Sequence, residues 1–220
     1  MVADAGDVKR WLLHGATGPF SLHAPSRYQG RKNMSAHIPL PDDESLPPEI
    51  KERLSSRPPL NVFRMAANAP ASFNGFIDFG SSIMFESEFD PRKREIAVLR
   101  VAYVTHSNYE WTQHVAVAKM TGVTEEEIEK IANDGAVTTL DEEGNLLCRV
   151  ADEISRDVKL SDDALAQILD SYGTRGATEL ILCVSYYNMI SRFLESTRVE
   201  LEDESILEND SGPLTDHLKG

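Results

Sequence analysis

Asp90-Pro91 opens an apolar-rich stretch that runs without a breaker to about Thr105, and no other feature constrains the fold of this chain as strongly. An Asp before the first turn accepts hydrogen bonds from unpartnered backbone N–H groups, and Pro is tolerated at the first helical position because its missing N–H would have no helical partner. Tyr109 to Met120 follows as a second helix stopped by Gly122, so a central antiparallel helix pair is expected over residues 91–121. Thr124-Glu125-Glu126-Glu127 is a capping-box start for a helix to about Ala132. Further helical segments are expected at Pro48 to Leu54, Asn61 to Asn68, from Pro70 through Phe79, Asp141 to Ser155, Ser161 to Leu169 and Thr178 to Glu195. No segment alternates apolar and polar residues between turn signals, so the fold class is all-α.

Charge and cysteine usage narrow the function classes. With 36 Asp+Glu against 22 Lys+Arg in 220 residues, the net charge of −14 repels polyanions and argues against nucleic acid as a partner. Even the apolar stretch Leu180 to Ile190 carries a Ser, two Tyr and an Asn, and falls short of a membrane span. Cys148 and Cys183 form neither a disulfide framework nor a C-x-x-C unit, and a reducing, cytoplasmic setting is expected. Three regions are expected: an irregular or arm-like extension over 1–46, a helical domain over 47–201, and an acidic, loosely held tail over 202–220. Residues 1–33 carry a local charge of +3, and Met34-Ser35 resembles a second translation start, so folding is expected to begin after Met34.

The helix pair also carries the residues able to do chemistry. Glu95, Leu99, Ala102 and His106 are spaced along one face of the first helix, an acid and an imidazole bracketing an apolar stripe. Glu95 also suits a solvent-facing acid near a helix N-terminus, and His106 a dipole-favoured residue near its end. On the second helix Glu110 and His114 are four apart, the spacing that lets a carboxylate touch an imidazole. Such a pair is either a modest surface interaction or a tuned acid and base. His106, Glu110 and His114 would form a metal stripe only on one uninterrupted helix, and Ser107-Asn108 argues for a break; no metal is expected. The chain has no G-x-G-x-x-G, P-loop or G-x-S-x-G motif.

Arg94-Glu95-Ile96-Ala97-Val98-Leu99-Arg100, then Tyr109-Glu110-Trp111-Thr112-Gln113-His114 and Gly122-Val123-Thr124, resemble the carboxymuconolactone decarboxylase family, which includes the AhpD-like alkylhydroperoxidases. Weaker likeness extends the match to about Pro47 to Leu201. The peroxidase branch has Glu, eleven residues, Cys, two residues, Cys, three residues, His; the corresponding positions here are Glu95, Ser107, Glu110 and His114. With both motif cysteines replaced, thiol peroxidase activity is not expected. The resemblance implies an AhpD-like helical domain, no cofactor, assembly as trimers or hexamers, and a lyase acting on a small lactone or unsaturated carboxylic acid. An isomerase, a hydratase, a lactone-opening enzyme and a non-catalytic binding or assembly protein are the alternatives. Glu95, Glu110 and His114 are the implied catalytic residues. Tyr103, His106, Trp111, Phe73, Phe76, Leu99 and Met84 are the candidates for substrate contact, the last four being residues that more often serve as plain core.

Overall fold

The computed structural model describes residues 37–202, all of them in helices, turns and connecting segments; among these residues there is no β-strand. The expected leader and translation start fall on residues 1–36, and most of the acidic tail on 203–220, outside the described residues. The helices are α1 (Pro48–Ser55), α2 (Asn61–Ala66), α3 (Pro70–Ser81), α4 (Pro91–Val104), α5 (Asn108–Met120), α6 (Glu125–Ile131), α7 (Glu142–Asp157) and α8 (Asp162–Thr197). A π-helical turn, Ser82–Glu86, extends α3.

Local chemistry sets most of these boundaries. The Asp90 side chain accepts from the Lys93 N–H at 2.9 Å, and Pro91 occupies the first turn of α4. Thr124 and Glu127 form the reciprocal capping box of α6. Asp141 caps α7 by accepting from the Gly144 N–H at 2.7 Å. Between α4 and α5 the chain turns at His106, whose φ of 57° is left-handed. The break expected at Ser107-Asn108 is present, with Ser107 as the N-cap of α5, and the turn takes His106 off the helix face that was to carry it.

α4 is the centre of the molecule. Ten of its residues, Arg94 through Tyr103, are buried, and it packs against α5, α7 and α8. A helix buried on every side must satisfy its charged residues internally. Arg100, fully buried, uses all five of its N–H donors: two on the Asp152 carboxylate at 2.8 and 2.9 Å, and three on the Ile131, Asn133 and Gly135 carbonyls. One side chain thereby ties α7 and the loop after α6 to the central helix.

The two helices expected at Ser161 to Leu169 and Thr178 to Glu195 are both present and meet at Gly173 within α8. α8 is one run interrupted only at Gly173, where a φ of 65° and ψ of −178° kink it. Glycine makes that non-helical backbone accessible, and it separates the two helices. One correction concerns the start of the acidic tail. Glu202 is held rather than loose: it accepts from the Tyr109 hydroxyl and the Gln113 amide, both at 2.6 Å, and from the Asn61 N–H.

Candidate active site

Glu95 and His114 meet at the interface of α4 and α5. The imidazole Nδ1 donates to Glu95 Oε2 at 2.7 Å, and a carboxylate can only accept, so the bond places the proton on Nδ1 and turns Nε2 away from Glu95. Glu95 Oε1 accepts from Arg94 Nε at 3.0 Å, while Arg94 Nη1 donates to the Met84 carbonyl of the π turn. Arg94 and Glu95 are neighbours in sequence and point to different faces of α4; the length of the Arg side chain lets it fold back onto its neighbour. The His114 ring stands edge-on to Tyr187, with centroids 4.7 Å apart and an interplanar angle of 86°.

Glu110 completes the constellation from the next turn of α5. Its Oε2 lies 3.5 Å from His114 Nε2, close enough for charge interaction, yet it is buried without a hydrogen bond. The two observations agree once geometry is considered: the pair is an ion-pair approach that has not closed into a hydrogen bond. Exposure is 0% for Glu95, 4% for Glu110 and 8% for His114, so all three titrate inside the protein.

Burial and charge push the three groups in different directions. Burial pushes the Glu95 carboxyl up, but the His114 charge and hydrogen bond, with Arg94, outweigh it and hold its pKa below the ordinary carboxylate value. Burial pushes the His114 imidazole down, and the facing charges of Glu95 and then Glu110 overcome that and raise it. Glu110 has no such compensation. Burial, only partly opposed by His114 and reinforced by the Glu95 charge, pushes its pKa up to about 7. The site therefore holds one ionised carboxylate that orients a histidine and one carboxylic acid poised near neutral pH, two carboxyls sorted into different roles by environment.

Glu110 and His114 face a cavity of about 470 Å³, with Glu95 buried behind the imidazole. Glu110, Gln113, His114 and Val117 of α5 form one wall, Tyr186, Tyr187 and Ile190 of α8 another, and the remainder comes from α3, its π turn and the strap over residues 56–63. Most of the lining is apolar. Of the expected substrate contacts, Phe76 and Met84 line the cavity.

The other five are placed elsewhere. Phe73 is fully buried in a second, smaller core between α1, α2 and α3, and Leu99 lies in the main core. Tyr103 stacks on Trp111 at 5.9 Å and donates to Asp134 at 3.1 Å, both rings packing on the side of the helix pair away from the cavity lining. His106 is exposed in the turn. The spacing of Glu95 and His106 is real, but the helix ends at Val104 and the face is never continued.

Several lining residues carried no role in the sequence reading, among them Tyr109, Gln113, Tyr186, Tyr187 and Arg57. Tyr186 and Tyr187 had a visible signal, since two phenols in the middle of an otherwise apolar helix need partners for their hydroxyls. No cluster of three or more His, Cys, Asp or Glu side chains among the described residues is arranged to hold a metal ion. No described helix is long and apolar enough to cross a membrane.

A buried Glu–His–Glu cluster at the wall of a mostly apolar cavity sits on an all-α scaffold with a central buried helix, and that scaffold is the AhpD-like helical fold. Residues 70–153, which span α3 through most of α7, match the carboxymuconolactone decarboxylase family. Two solved structures share the fold. One, described as an alkylhydroperoxidase AhpD core and an uncharacterized peroxidase-related protein from Ralstonia eutropha JMP134, is 15% identical with a TM-score of 0.68, covering 81% of this chain and 98% of that one. The other, an uncharacterized peroxidase-related protein from Silicibacter sp. TM1040, is 19% identical with a TM-score of 0.64, covering 79% of this chain and 96% of that one. No curated protein matches the chain in sequence.

Proposed function

We propose that the cavity catalyses proton transfer without a cofactor on a small lactone or unsaturated carboxylic acid, as a carbon–carbon lyase of the decarboxylase type. The observation that carries the reading is the Glu95–His114–Glu110 arrangement, with a carboxyl of pKa about 7 beside an oriented imidazole at the wall of an apolar cavity. In a decarboxylation the C–CO2 bond breaks with its electron pair passing into the conjugated carbonyl, CO2 leaves, and an extended enolate remains. Apolar walls favour that step because the departing carboxylate loses hydration that the charge-dispersed enolate needs less. Glu110 delivers a proton to carbon, and His114, held by Glu95, stabilises the enolate oxygen and returns a solvent proton to Glu110. An isomerase would run the same groups in sequence, Glu110 ionised and abstracting first.

Two competing readings lose support from particular residues. Thiol peroxide reduction needs an accessible thiolate. Ser107 and Glu110 occupy the motif positions, and the two thiols of the chain are buried, Cys148 pushed up to about 12 and Cys183 higher by burial and the Glu95 charge. A non-catalytic pocket would be favoured by a Glu95 that is ionised and exposed, whereas this one is fully buried.

The test is turnover of a panel of small lactone acids and unsaturated carboxylic acids in heavy water with a CO2 readout. Deuterium at carbon in the product is expected, with a loss of about 10²- to 10⁴-fold in His114→Ala. CO2 release separates lyase from isomerase. Absence of both deuterium uptake and CO2 across the panel, from a folded protein, refutes the acid–base reading.

A further inference from the structure

The polar groups of the cavity wall are unevenly engaged. The Tyr109 hydroxyl and a Gln113 N–H are spent on Glu202, the Tyr186 hydroxyl donates to the Phe76 carbonyl at 3.3 Å, and the Tyr187 hydroxyl donates to Met84 Sδ at 3.1 Å. Ser56 Oγ donates to the Arg53 carbonyl. An anion entering the cavity needs donors, and these hydroxyls have none left to give.

Among the described residues, the second Gln113 N–H and the Ser81 hydroxyl are open but neutral, and Arg57 supplies the charged donors. It stands in the strap that follows α1, half-buried, and is the only Lys or Arg in the cavity lining among the described residues. Its Nη1 donates to the Arg53 carbonyl at 3.0 Å and to Ser56 Oγ at 3.4 Å, which fixes the plane of the guanidinium. Nε and Nη2 have no hydrogen-bond partner among the described residues. The neighbouring cation is already neutralised, since Arg53 binds both Asn74 and Asp78. Burial and the like charge of Arg53 press down on the Arg57 pKa, with Asp78 only partly offsetting them. A preoriented guanidinium with two adjacent free donors and an uncompensated charge matches a carboxylate in bidentate geometry.

We propose that Arg57 is the specificity-determining residue of this cavity, binding a carboxylate that the substrate retains through the reaction. The retained group is the one meant because a salt bridge to a departing carboxylate would stabilise the ground state and slow its loss. A substrate that loses CO2 here therefore carries two carboxyl groups, one held by Arg57 and one facing the apolar wall near Glu110 and His114. A substrate that is isomerised needs only the first.

The inference rests on the acid–base reading of the cavity, and its test separates the two. Calorimetric titration with trans-cinnamate and with its uncharged analogue trans-cinnamamide reads binding without turnover. Wild type is expected to bind the acid at least tenfold more tightly than the amide. Arg57→Met should reduce the acid to the affinity of the amide and leave the amide unchanged, while Arg57→Lys, the control for folding and charge, retains part of the preference. Equal affinity for acid and amide, no binding of the acid at millimolar concentration, or an Arg57→Met protein that keeps the preference would each overturn the assignment. Carboxylate preference without deuterium exchange on the substrate panel refutes the acid–base reading and leaves Arg57 standing. Exchange into neutral lactones as fast as into acids does the reverse.

Discussion

Replacing Glu110 by Gln is expected to stabilise the protein in alkaline solution and to do nothing for it in acid. Glu110 is buried, and its pKa moves from an ordinary 4.5 to about 7 on folding. The folded state thus prefers the neutral acid, so this group's contribution is fully present below the unfolded value and is lost as pH rises through the folded value near 7. A rise of about 2.5, at roughly 1.4 kcal/mol for each pKa unit, corresponds to about 3 kcal/mol between pH 4.5 and pH 8. Gln is nearly isosteric and cannot ionise. The Glu110→Gln protein should therefore match wild type near pH 5 and exceed it by about 3 kcal/mol near pH 8, or roughly 6–12 °C in Tm for a domain of this size. His114, whose raised pKa gives stability that also fades as pH rises through its folded value, is present in both proteins and its own share of the trend largely cancels. Urea denaturation of both proteins across that range measures the difference directly. A difference that stays constant with pH would show that Glu110 does not titrate inside the fold, and would remove it as the general acid.

The same group predicts a rate profile in which the proposed lyase turnover falls as pH rises above about 7, and Glu110→Gln, with no proton to deliver, should lose that turnover; an unchanged profile would remove Glu110 from the mechanism. Arg100→Met should cost about 3–5 kcal/mol, because it leaves Asp152 and three carbonyls without their shared donor; an unchanged denaturation midpoint would refute the bridging role. Gly80→Ala, stabilising in an ordinary helix, should destabilise here and distort the cavity, since the new Cβ would lie less than 2.5 Å from the Tyr186 hydroxyl. Tyr186→Phe in the same chain should recover part of the loss, and no recovery would place the strain elsewhere. Leu182, Met189 and Phe79 are each more than 40% exposed, an apolar set that a trimer or larger assembly would cover; light scattering that gives a monomer would refute the expected oligomer.

Helix boundaries and two of the three candidate site residues were legible in the linear chain. Asp90-Pro91, the Thr124–Glu127 box and Asp141 all act within one turn, so the groups that decide the outcome lie three residues apart and no distant contact need be known. Glu110 and His114 share that advantage at four residues. The pairing of Glu95 with His114 was reachable through family resemblance, since the two sit on different helices and spacing alone left Glu95 free to face water. His106 illustrates the limit of periodicity: its position on the stripe was sound, but a left-handed residue ended the helix first.

What the fold alone decided is set by groups far apart in the chain. The cavity joins residues from Ser56 to Ile190, and which side chains line it depends on how α3, α5 and α8 pack, which is why Phe73, Leu99, Tyr103 and Trp111 fell outside it while Tyr186 and Tyr187 fell inside. At Gly173 a non-helical φ and ψ separate the two halves of α8, and the direction each half takes is seen only in the folded structure. The roles of the two site carboxyls, one ionised and one poised near neutral pH, follow from water exclusion and from which charge each one faces. Burial is a property of the packed structure, so a chain that writes both residues with the same letter leaves that distinction to its tertiary fold.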